Sequence, residues 1–236
     1  YYTNPTNYSI GTWVSTDYRK KLALDVEVSY RTFDEHNRQN LSYSIAPRYR
    51  VNDKLMFIYN YNRNSNRDDM GYANHFTRDY EAGKRQDIIF GLRDVNTISN
   101  ELTSSYIFNN RMSLSLRARH YWSKAEYNRF FKLGDKGELL TDTYPNGSYF
   151  EDGELPNHNI NFNTFNVDMI YSWWFAPGSE ISIMWKNAIL ESQDAIVPRY
   201  HENFTRTITG PQTNSLSVRV LYFIDYQVLK KKFSRS

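Results

Sequence analysis

The residues from 22 to 33, LALDVEVSYRTF, alternate between apolar and polar side chains almost without a break. The even positions from Leu22 to Tyr30 are apolar, and the odd positions include Asp25, Glu27 and Arg31. Successive side chains of a strand point to opposite faces of a sheet, so the pattern predicts a strand with one apolar and one charged face. In a water-soluble sandwich the apolar face meets a protein core. In a membrane barrel it meets lipid, and the charged face lines the interior.

The same alternation returns along most of the chain and predicts an all-β fold, in one domain covering residues 1–236. Nine strands are expected, at residues 7–16, 22–33, 41–51, 55–61, 100–108, 112–119, 165–175, 181–189 and 216–226. No segment shows a convincing helical periodicity, so no helix is expected.

The composition excludes several classes of protein. No stretch approaches the roughly 20 apolar residues that a membrane helix needs. There are no cysteines, and therefore no disulfides or thiolate metal sites. The net charge is only +3 without a basic stripe, so no nucleic-acid partner is expected. The 20 Tyr, 14 Phe and 5 Trp favour strands, and in particular the aromatic girdles of membrane barrels.

Short and long links alternate between the predicted strands. Short links are expected at 17–19, 52–54, 109–111 and 176–180, and long links at 34–39, 63–99, 123–160 and 190–213. This alternation is typical of outer-membrane barrels, which have short periplasmic turns and long extracellular loops. Residues 87–99 are interpreted as an outward extension of the strand at 100–108, with a bend at Gly91.

The directions of the strands indicate whether this chain can form a whole barrel. With nine strands, the first and the last both run towards the periplasm, whereas single-chain bacterial barrels have even strand numbers. The sequence opens YYTNPTNY, without an initiator Met or a signal peptide. We therefore expect a processed chain or a fragment that lacks an odd number of upstream strands, or a barrel that another chain completes. Open edges in lipid would cost several kcal/mol for each unpaired backbone group.

The three-residue turns predict the cross-strand register. The expected opposite pairs are Phe108–Met112, Tyr106–Leu114, Glu101–Arg119, Tyr49–Phe57 and Pro47–Tyr59. Because proline has no backbone N–H, the ladder is expected to be weak or bulged at Pro47.

Strand parity assigns side chains to the two faces of the predicted barrel. The residues predicted to face the lumen are Arg31, Arg48, Arg50, Glu101, Arg117, Arg119, Asp168, Lys186 and Arg219. Those predicted to face lipid are Leu24, Val26, Leu114, Leu116, Met169, Val218 and Val220. The lumen is either a water-filled pore or an interior filled by ion pairs. The inward parity of Ile58, Ile107, Ile170, Trp174, Leu221 and Phe223 favours a filled interior.

Aromatic residues are expected to mark both rims of the barrel. The outer rim is predicted at Tyr61, Trp122 and Phe165, and the inner rim at Tyr18, Tyr49, Phe108, Phe175 and Tyr226. The basic tail, residues 230–232, is expected to be a solvated end in the periplasm.

No cofactor, metal or catalytic site is predicted. The histidines His36, His75, His120, His158 and His201 have no zinc or iron spacing, and the acidic stretches 68–69 and 151–154 follow no calcium-loop pattern. His120 is the one candidate for a lipid hydrolase, since its parity is lipid-facing and it lies opposite Asn100. Ser123 has the opposite parity and Ser104 lies too far away, so His120 has no nucleophile within reach and we expect no enzyme.

Three stretches resemble a known family. FGLRDV (90–95), YIFNNRMSLSLRARHYWS (106–123) and NSLSVRVLYFIDYQ (214–227) are similar to a large family of outer-membrane β-barrels of Bacteroidota, of unknown function, and the run 119–122 (RHYW) is the most specific part. Members carry an N-terminal module similar to carbohydrate-binding family 9, which has no counterpart here. The resemblance implies an outer-membrane location and a longer parent chain, and it offers no catalytic motif.

The sequence therefore predicts the C-terminal portion of a transmembrane antiparallel up-and-down β-barrel in the outer membrane. The expected function is a non-enzymatic surface or transport barrel, or one subunit of a larger outer-membrane assembly. The expected partners are membrane lipids, lipopolysaccharide and other outer-membrane subunits. A passive pore and a barrel-embedded lipid hydrolase are the functional alternatives, and a water-soluble β-sandwich is the alternative fold.

Overall fold

One antiparallel sheet contains most of the chain in the computed structural model, which describes residues 2–35, 37–80, 83–141 and 157–224. Long runs of alternating side chains supply the strands. They are β1 (Asn7–Ser15), β2 (Leu22–Phe33), β3 (Gln39–Asn52), β4 (Leu55–Tyr80), β5 (Gly83–Asn109), β6 (Met112–Leu133), β7 (Leu139–Thr141), β8 (Ile160–Ala176), β9 (Ser179–Gln193) and β10 (Gln212–Leu221).

The strands follow one another in chain order. Nine of them form the path β1-β2-β3-β4-β5-β6-β8-β9-β10, and the three-residue β7 pairs beside it with β6. The predicted all-β, up-and-down antiparallel architecture is confirmed, as are the nine strands of the path. Within the described residues the sheet is open and not closed into a barrel, with β1 and β10 as its two edges.

Tight turns join the hairpins at one end of the sheet, which we call the proximal end. Asn52 Oδ1 accepts hydrogen bonds from the backbone N–H groups of Lys54 (2.8 Å) and Leu55 (3.0 Å), and Asn109 Oδ1 accepts one from Arg111 (2.8 Å). Gly178 has a φ of +70°, which favours glycine, in the turn between β8 and β9. These turns lie where the short links were predicted.

The register agrees with the prediction at four of the five pairs. Tyr106 lies opposite Leu114, Glu101 opposite Arg119, and Tyr49 opposite Phe57. Pro47 is aligned with Tyr59, but the ladder passes from Ile45–Tyr61 to Arg48–Ile58 without pairing it, which is the predicted weak point. The Phe108–Met112 pair is wrong, because an irregularity between Ile107 and Asn109 places Asn109 opposite Met112.

The long link predicted at 63–99 is not a link. Residues 63–80 continue β4, and residues 83–99 belong to β5, so residues 87–99 do extend the strand at 100–108 as predicted. Likewise, β6 continues to Leu133 instead of ending at residue 119. These strand ends form a distal extension, opposite the proximal turns. Its alternation is weaker because it carries many asparagines and charges.

The distal extension holds the buried clusters of the sheet. Met70, Leu92 and Phe131 form one, and Ile89 and Phe130 form a second. Gly91 lies on β5 between Ile89 of one cluster and Leu92 of the other, and a Cβ atom there would be 2.3 Å from the Tyr127 ring. Glycine is therefore required for this close approach, and the register of β5 against β6 shifts beside it, between Leu92 and Arg93.

One helix, α1 (Tyr200–Thr209), interrupts the link between β9 and β10, so the expectation of no helix was wrong. Tyr200, Phe204 and Ile208 recur at intervals of four residues, Pro198 precedes the helix, and Gly210 follows it. These are start and stop signals for a short helix. Among the described residues, no helix is both long and apolar enough to cross a membrane.

Candidate functional site

The two faces of the sheet differ sharply in chemistry. Directly opposite residues on neighbouring strands share a face, so the ladders assign every paired position. One row of the polar face runs through Arg48, Ile58, Thr103, Arg117, Asp168, Lys186 and Ser215. One row of the apolar face runs through Val14, Val26, Ile45, Tyr61, Asn100, His120, Phe165 and Ile189.

All nine residues predicted to face a lumen lie on the polar face. Arg31 lies opposite Asn40, Arg50 opposite Met56, and Arg219 opposite Ser182. The others are Arg48, Glu101, Arg117, Arg119, Asp168 and Lys186.

Ion pairs on the polar face run diagonally between neighbouring strands. Arg117 Nη2 lies 2.6 Å from Glu101 Oε2, and Arg119 Nη2 lies 3.3 Å from Asp168 Oδ2. Glu101 thus pairs with Arg117, two residues along β6 from its directly opposite neighbour Arg119. These side chains are partly exposed, so each pair contributes at most about 1 kcal/mol.

All seven residues predicted to face lipid lie on the apolar face. They are Leu24, Val26, Leu114, Leu116, Met169, Val218 and Val220, and none of them is buried. Val218 and Val220 are 61% and 62% exposed. We call the apolar residues of this face, from the proximal end to the last apolar position on each strand, the apolar band. No second layer covers the band within the described residues, and the buried clusters lie in the distal extension instead.

Aromatic rings follow the proximal margin of the apolar band. The ring centroids of Tyr106 and Phe108 are 4.6 Å apart, and those of Phe175 and Tyr222 are 6.2 Å apart. Phe108 and Phe175 were predicted to mark this rim; Tyr226 lies outside the described residues. At the other margin, Tyr61 packs on Tyr43. Trp122, predicted to mark that rim, is only 4% exposed because α1 covers it.

Near the distal limit of the band, the same face carries Asn100 on β5 and Asn161 and Asn163 on β8, and α1 lies on this polar patch. Asn203 of α1 exchanges hydrogen bonds with Asn163 of β8: its Nδ2 donates to Asn163 Oδ1 (2.6 Å), and its Oδ1 accepts from Asn163 Nδ2 (3.1 Å). Asn203 Oδ1 also accepts from Asn161 Nδ2 (3.1 Å), and Asn161 Oδ1 accepts from Trp122 Nε1 (2.6 Å). All three asparagines are at most 1% exposed. Each amide left unpaired there would cost about 1–3 kcal/mol, so the network holds α1 in place.

His120 lies in this patch, beneath α1. It is 3% exposed, and its Nδ1 atom lies 3.1 Å from the Tyr200 hydroxyl, which also accepts a hydrogen bond from Asn100 Nδ2 (2.9 Å). His120 Nε2 has no hydrogen-bond partner among the described residues.

The other candidate ligands do not converge. In the parts of the chain that the structure describes, no three His, Asp or Glu side chains are placed to hold a metal ion. His75 bonds to Tyr72, and His158 packs on Tyr127 and Phe130. Asp69, from the predicted acidic loop, lies 2.9 Å from Arg38 and 3.3 Å from Arg93. Its carboxylate is thus engaged in ion pairs. His36, residues 151–154 and residues 230–232 lie outside the described residues.

The distal limit of the apolar band crosses the strands obliquely. Tyr30 is the last apolar residue of the face on β2, and the ladders place it level with Lys124 of β6. Leu216 is the corresponding residue on β10, and it is level with Leu116. From β2 to β10, which is seven steps from strand to strand, the limit thus moves by eight residue positions, counted along β6. With 3.3 Å per residue and 4.8 Å between strands, the drift corresponds to a tilt of roughly 40°.

A protein-family model matches residues 1–233, nearly the whole chain, and its description is "Domain of unknown function (DUF5916)". The chain belongs to the DUF5916 family. The match extends over the N-terminal strands, where the resemblance seen in the sequence was looser. No curated protein and no solved structure is significantly similar to the chain.

Proposed function

We propose that this DUF5916 chain is part of a transmembrane β-barrel in the bacterial outer membrane and serves as a non-enzymatic surface or transport barrel, alone or within a larger assembly. Its apolar band contacts lipid, and its polar face lines the interior. The uncovered apolar face is the observation that carries the proposal.

A broad apolar face in water would be an aggregation site, since monomeric soluble proteins rarely expose large contiguous apolar patches. Here the band crosses eight strands, from β2 to β10, and its residues remain exposed or half-exposed, except for Trp122 and Ile189 at its distal limit. A water-soluble sandwich would need a second sheet over it, and the described residues contain only one sheet. Lipid is the environment that stabilises such a face.

The dimensions of the band also support a membrane. On β2 it runs from Leu22 to Tyr30, nine residues, and a tilted membrane strand needs about 9–11. Strands of membrane barrels are tilted by about 35–45°, close to the tilt of the band across this sheet. The aromatic margin matches the girdles of such barrels, and the resemblance to outer-membrane barrels of Bacteroidota supports the same location.

The two edges indicate how the barrel would be completed. β1 and β10 are the first and ninth strands of an antiparallel path, so they run in the same direction. Antiparallel closure therefore needs an odd number of further strands, from elsewhere in the protein or from another subunit. In lipid, each open edge would leave its backbone groups unpaired, which is unfavourable by several kcal/mol per group.

Fluorescence quenching tests the lipid contact. The chain has no cysteine, so Val26→Cys on the apolar face and Ser29→Cys on the polar face of β2 each give one labelling site. In vesicles containing spin-labelled phospholipid, a bimane label at residue 26 is expected to be strongly quenched. The label at residue 29 is expected to be far less quenched. Equal quenching at both sites, or none at either, would contradict the proposal.

The setting of His120 supports a non-enzymatic barrel. A lipid hydrolase would need an accessible base beside a nucleophile, whereas His120 is buried under α1 against a Tyr hydroxyl. Ile58 and Ile170 on the polar face support a filled interior. We expect the intact protein to give no steady single-channel current in planar bilayers, and such a current would instead assign the passive pore.

A further inference from the structure

α1 lies at the distal limit of the apolar band, on the face that the proposed function places in lipid. Its inner side is fixed by Asn203 and Thr207, which are 1% and 0% exposed. Its ten residues are held against β8 and β9, just beyond the last apolar residues of those strands. The helix is therefore fixed at the level where lipid headgroups would begin.

The outward side of α1 is basic. Arg199, His201 and Arg206 are exposed around a surface depression of about 440 Å³, and Glu202 is the one acidic residue that lines it. Arg199 makes no ion pair or side-chain hydrogen bond with any described residue. Arg206 makes one long hydrogen bond, to Gln193 (3.4 Å). Their guanidinium groups are thus available to an anion, and arginine is well suited to bind phosphate in a bidentate manner.

An apolar depression lies on the other flank of α1, where Phe204 packs on His120 of β6, whereas Arg206 reaches Gln193 of β9. It encloses about 190 Å³ between α1 and the sheet, and the apolar part of its lining is Leu102, Ala118, Phe165 and Phe204, with Tyr200 at its edge. Tyr200 and Phe204 stack at 6.1 Å, which keeps this wall rigid. The basic surface is complementary to a phosphorylated headgroup, and the apolar depression, which shares no lining residue with it, is a separate feature.

We infer that the outward side of α1 binds the phosphorylated headgroup of an outer-leaflet lipid. This inference rests on the proposed function, because it requires the apolar band to be in the membrane. Lipid A is the probe of choice, since it carries phosphates and acyl chains together and is available with and without its phosphates.

Arg199→Gln/Arg206→Gln is the variant that tests the site, and Arg111→Gln in the proximal β5–β6 turn is its matched control. Each form of the intact protein is placed in neutral-lipid nanodiscs with lipid A, and bound lipid is counted by native mass spectrometry. We expect the double variant to retain about tenfold less bis-phosphorylated lipid A than the wild type and the control. Dephosphorylated lipid A should bind weakly to all three, and inorganic phosphate should not displace the lipid.

Three results would overturn the inference. They are equal retention by the double variant, equal binding of the dephosphorylated lipid by the wild type, and displacement by inorganic phosphate, which would indicate a site for free anions. The quenching experiment at residues 26 and 29 separates the two proposals. If the label at residue 26 is quenched but the double variant retains lipid A, only the α1 site fails; if that label is not quenched, both fail.

Discussion

At the scale of single residues, the parity of a side chain within its strand decides its surroundings. Val26 and Ser29 lie on the same strand, three residues apart, and on opposite faces of the sheet. Val26 has Val14 and Ile45 as its cross-strand neighbours, whereas Ser29 lies opposite Gly11 and Ser42. A charge at these two positions should therefore have very different consequences.

Val26→Arg is expected to destabilise the protein in lipid by about 2–4 kcal/mol, the cost of arginine near the midplane of a bilayer. Ser29→Arg places the same charge on the polar face and should cost much less. Urea unfolding of the intact protein in phospholipid vesicles measures both. Equal losses of stability would mean that the two faces are wrongly assigned.

Asn203 is the residue on which the attachment of α1 depends most. Asn203→Ala leaves the buried amide of Asn163 without its partner and removes an acceptor from Asn161, at about 1–3 kcal/mol for each group. We expect α1 to detach and trypsin to cleave after Arg199 and Arg206 many times faster. Thr205→Ala, on the exposed side of α1, is the control and should be cleaved at the wild-type rate. An unchanged rate for Asn203→Ala would show that the amides do not hold the helix.

At the scale of elements, α1 and β6 form one packed unit through His120. Phe204 contacts the His120 ring edge-on at 4.9 Å, and Tyr200 contacts it at 5.6 Å. The position of α1 on the sheet therefore depends on the His120 ring.

This packing predicts that α1 is held less firmly when the His120 ring is removed. In His120→Ala, Phe204 and Tyr200 lose the ring that they contact. Hydrogen exchange of residues 200–209 should therefore accelerate.

His158 packs on Tyr127 and Phe130 in the distal extension, away from α1. His158→Ala should therefore leave the exchange of α1 unchanged. Faster exchange of α1 in His158→Ala but not in His120→Ala would contradict this packing.

At the scale of the whole molecule, the two open edges of the sheet have backbone groups that need further strands as hydrogen-bond partners. Every residue of β1 and β10 is exposed, and each strand has a neighbour on one side only within the described residues. In the proposed barrel, further strands should pair with both edges. Hydrogen exchange at residues 7–15 and 212–221 should then be as slow as in β3. Fast exchange at both edges, with β3 protected, would mean that the sheet stays open.

The strand pattern of the sequence determined the two-faced sheet, since parity along a strand needs no tertiary information. All the residues assigned to the polar and apolar faces follow from the period of two, and so do most of the register and the number of strands in the main path. Hairpin turns are local, and Asn52, Asn109 and Gly178 define them with nearby backbone groups. The bulge that moves Met112 opposite Asn109 was missed, because alternation does not reveal one extra residue beside a turn.

Only the tertiary structure decided what lies beyond the apolar band. The distal parts of β4, β5 and β6 alternate weakly, and they form strands because neighbouring strands supply the hydrogen bonds. The helix α1 is too short to be stable alone, and it forms against a patch of asparagines contributed by a strand 40 residues away in sequence. The sequence fixes which face of each strand is apolar through local geometry. The position of the helix, the burial of His120 and the basic surface at the limit of the band depend on contacts between distant residues, which the local helix signals at 198–210 do not encode.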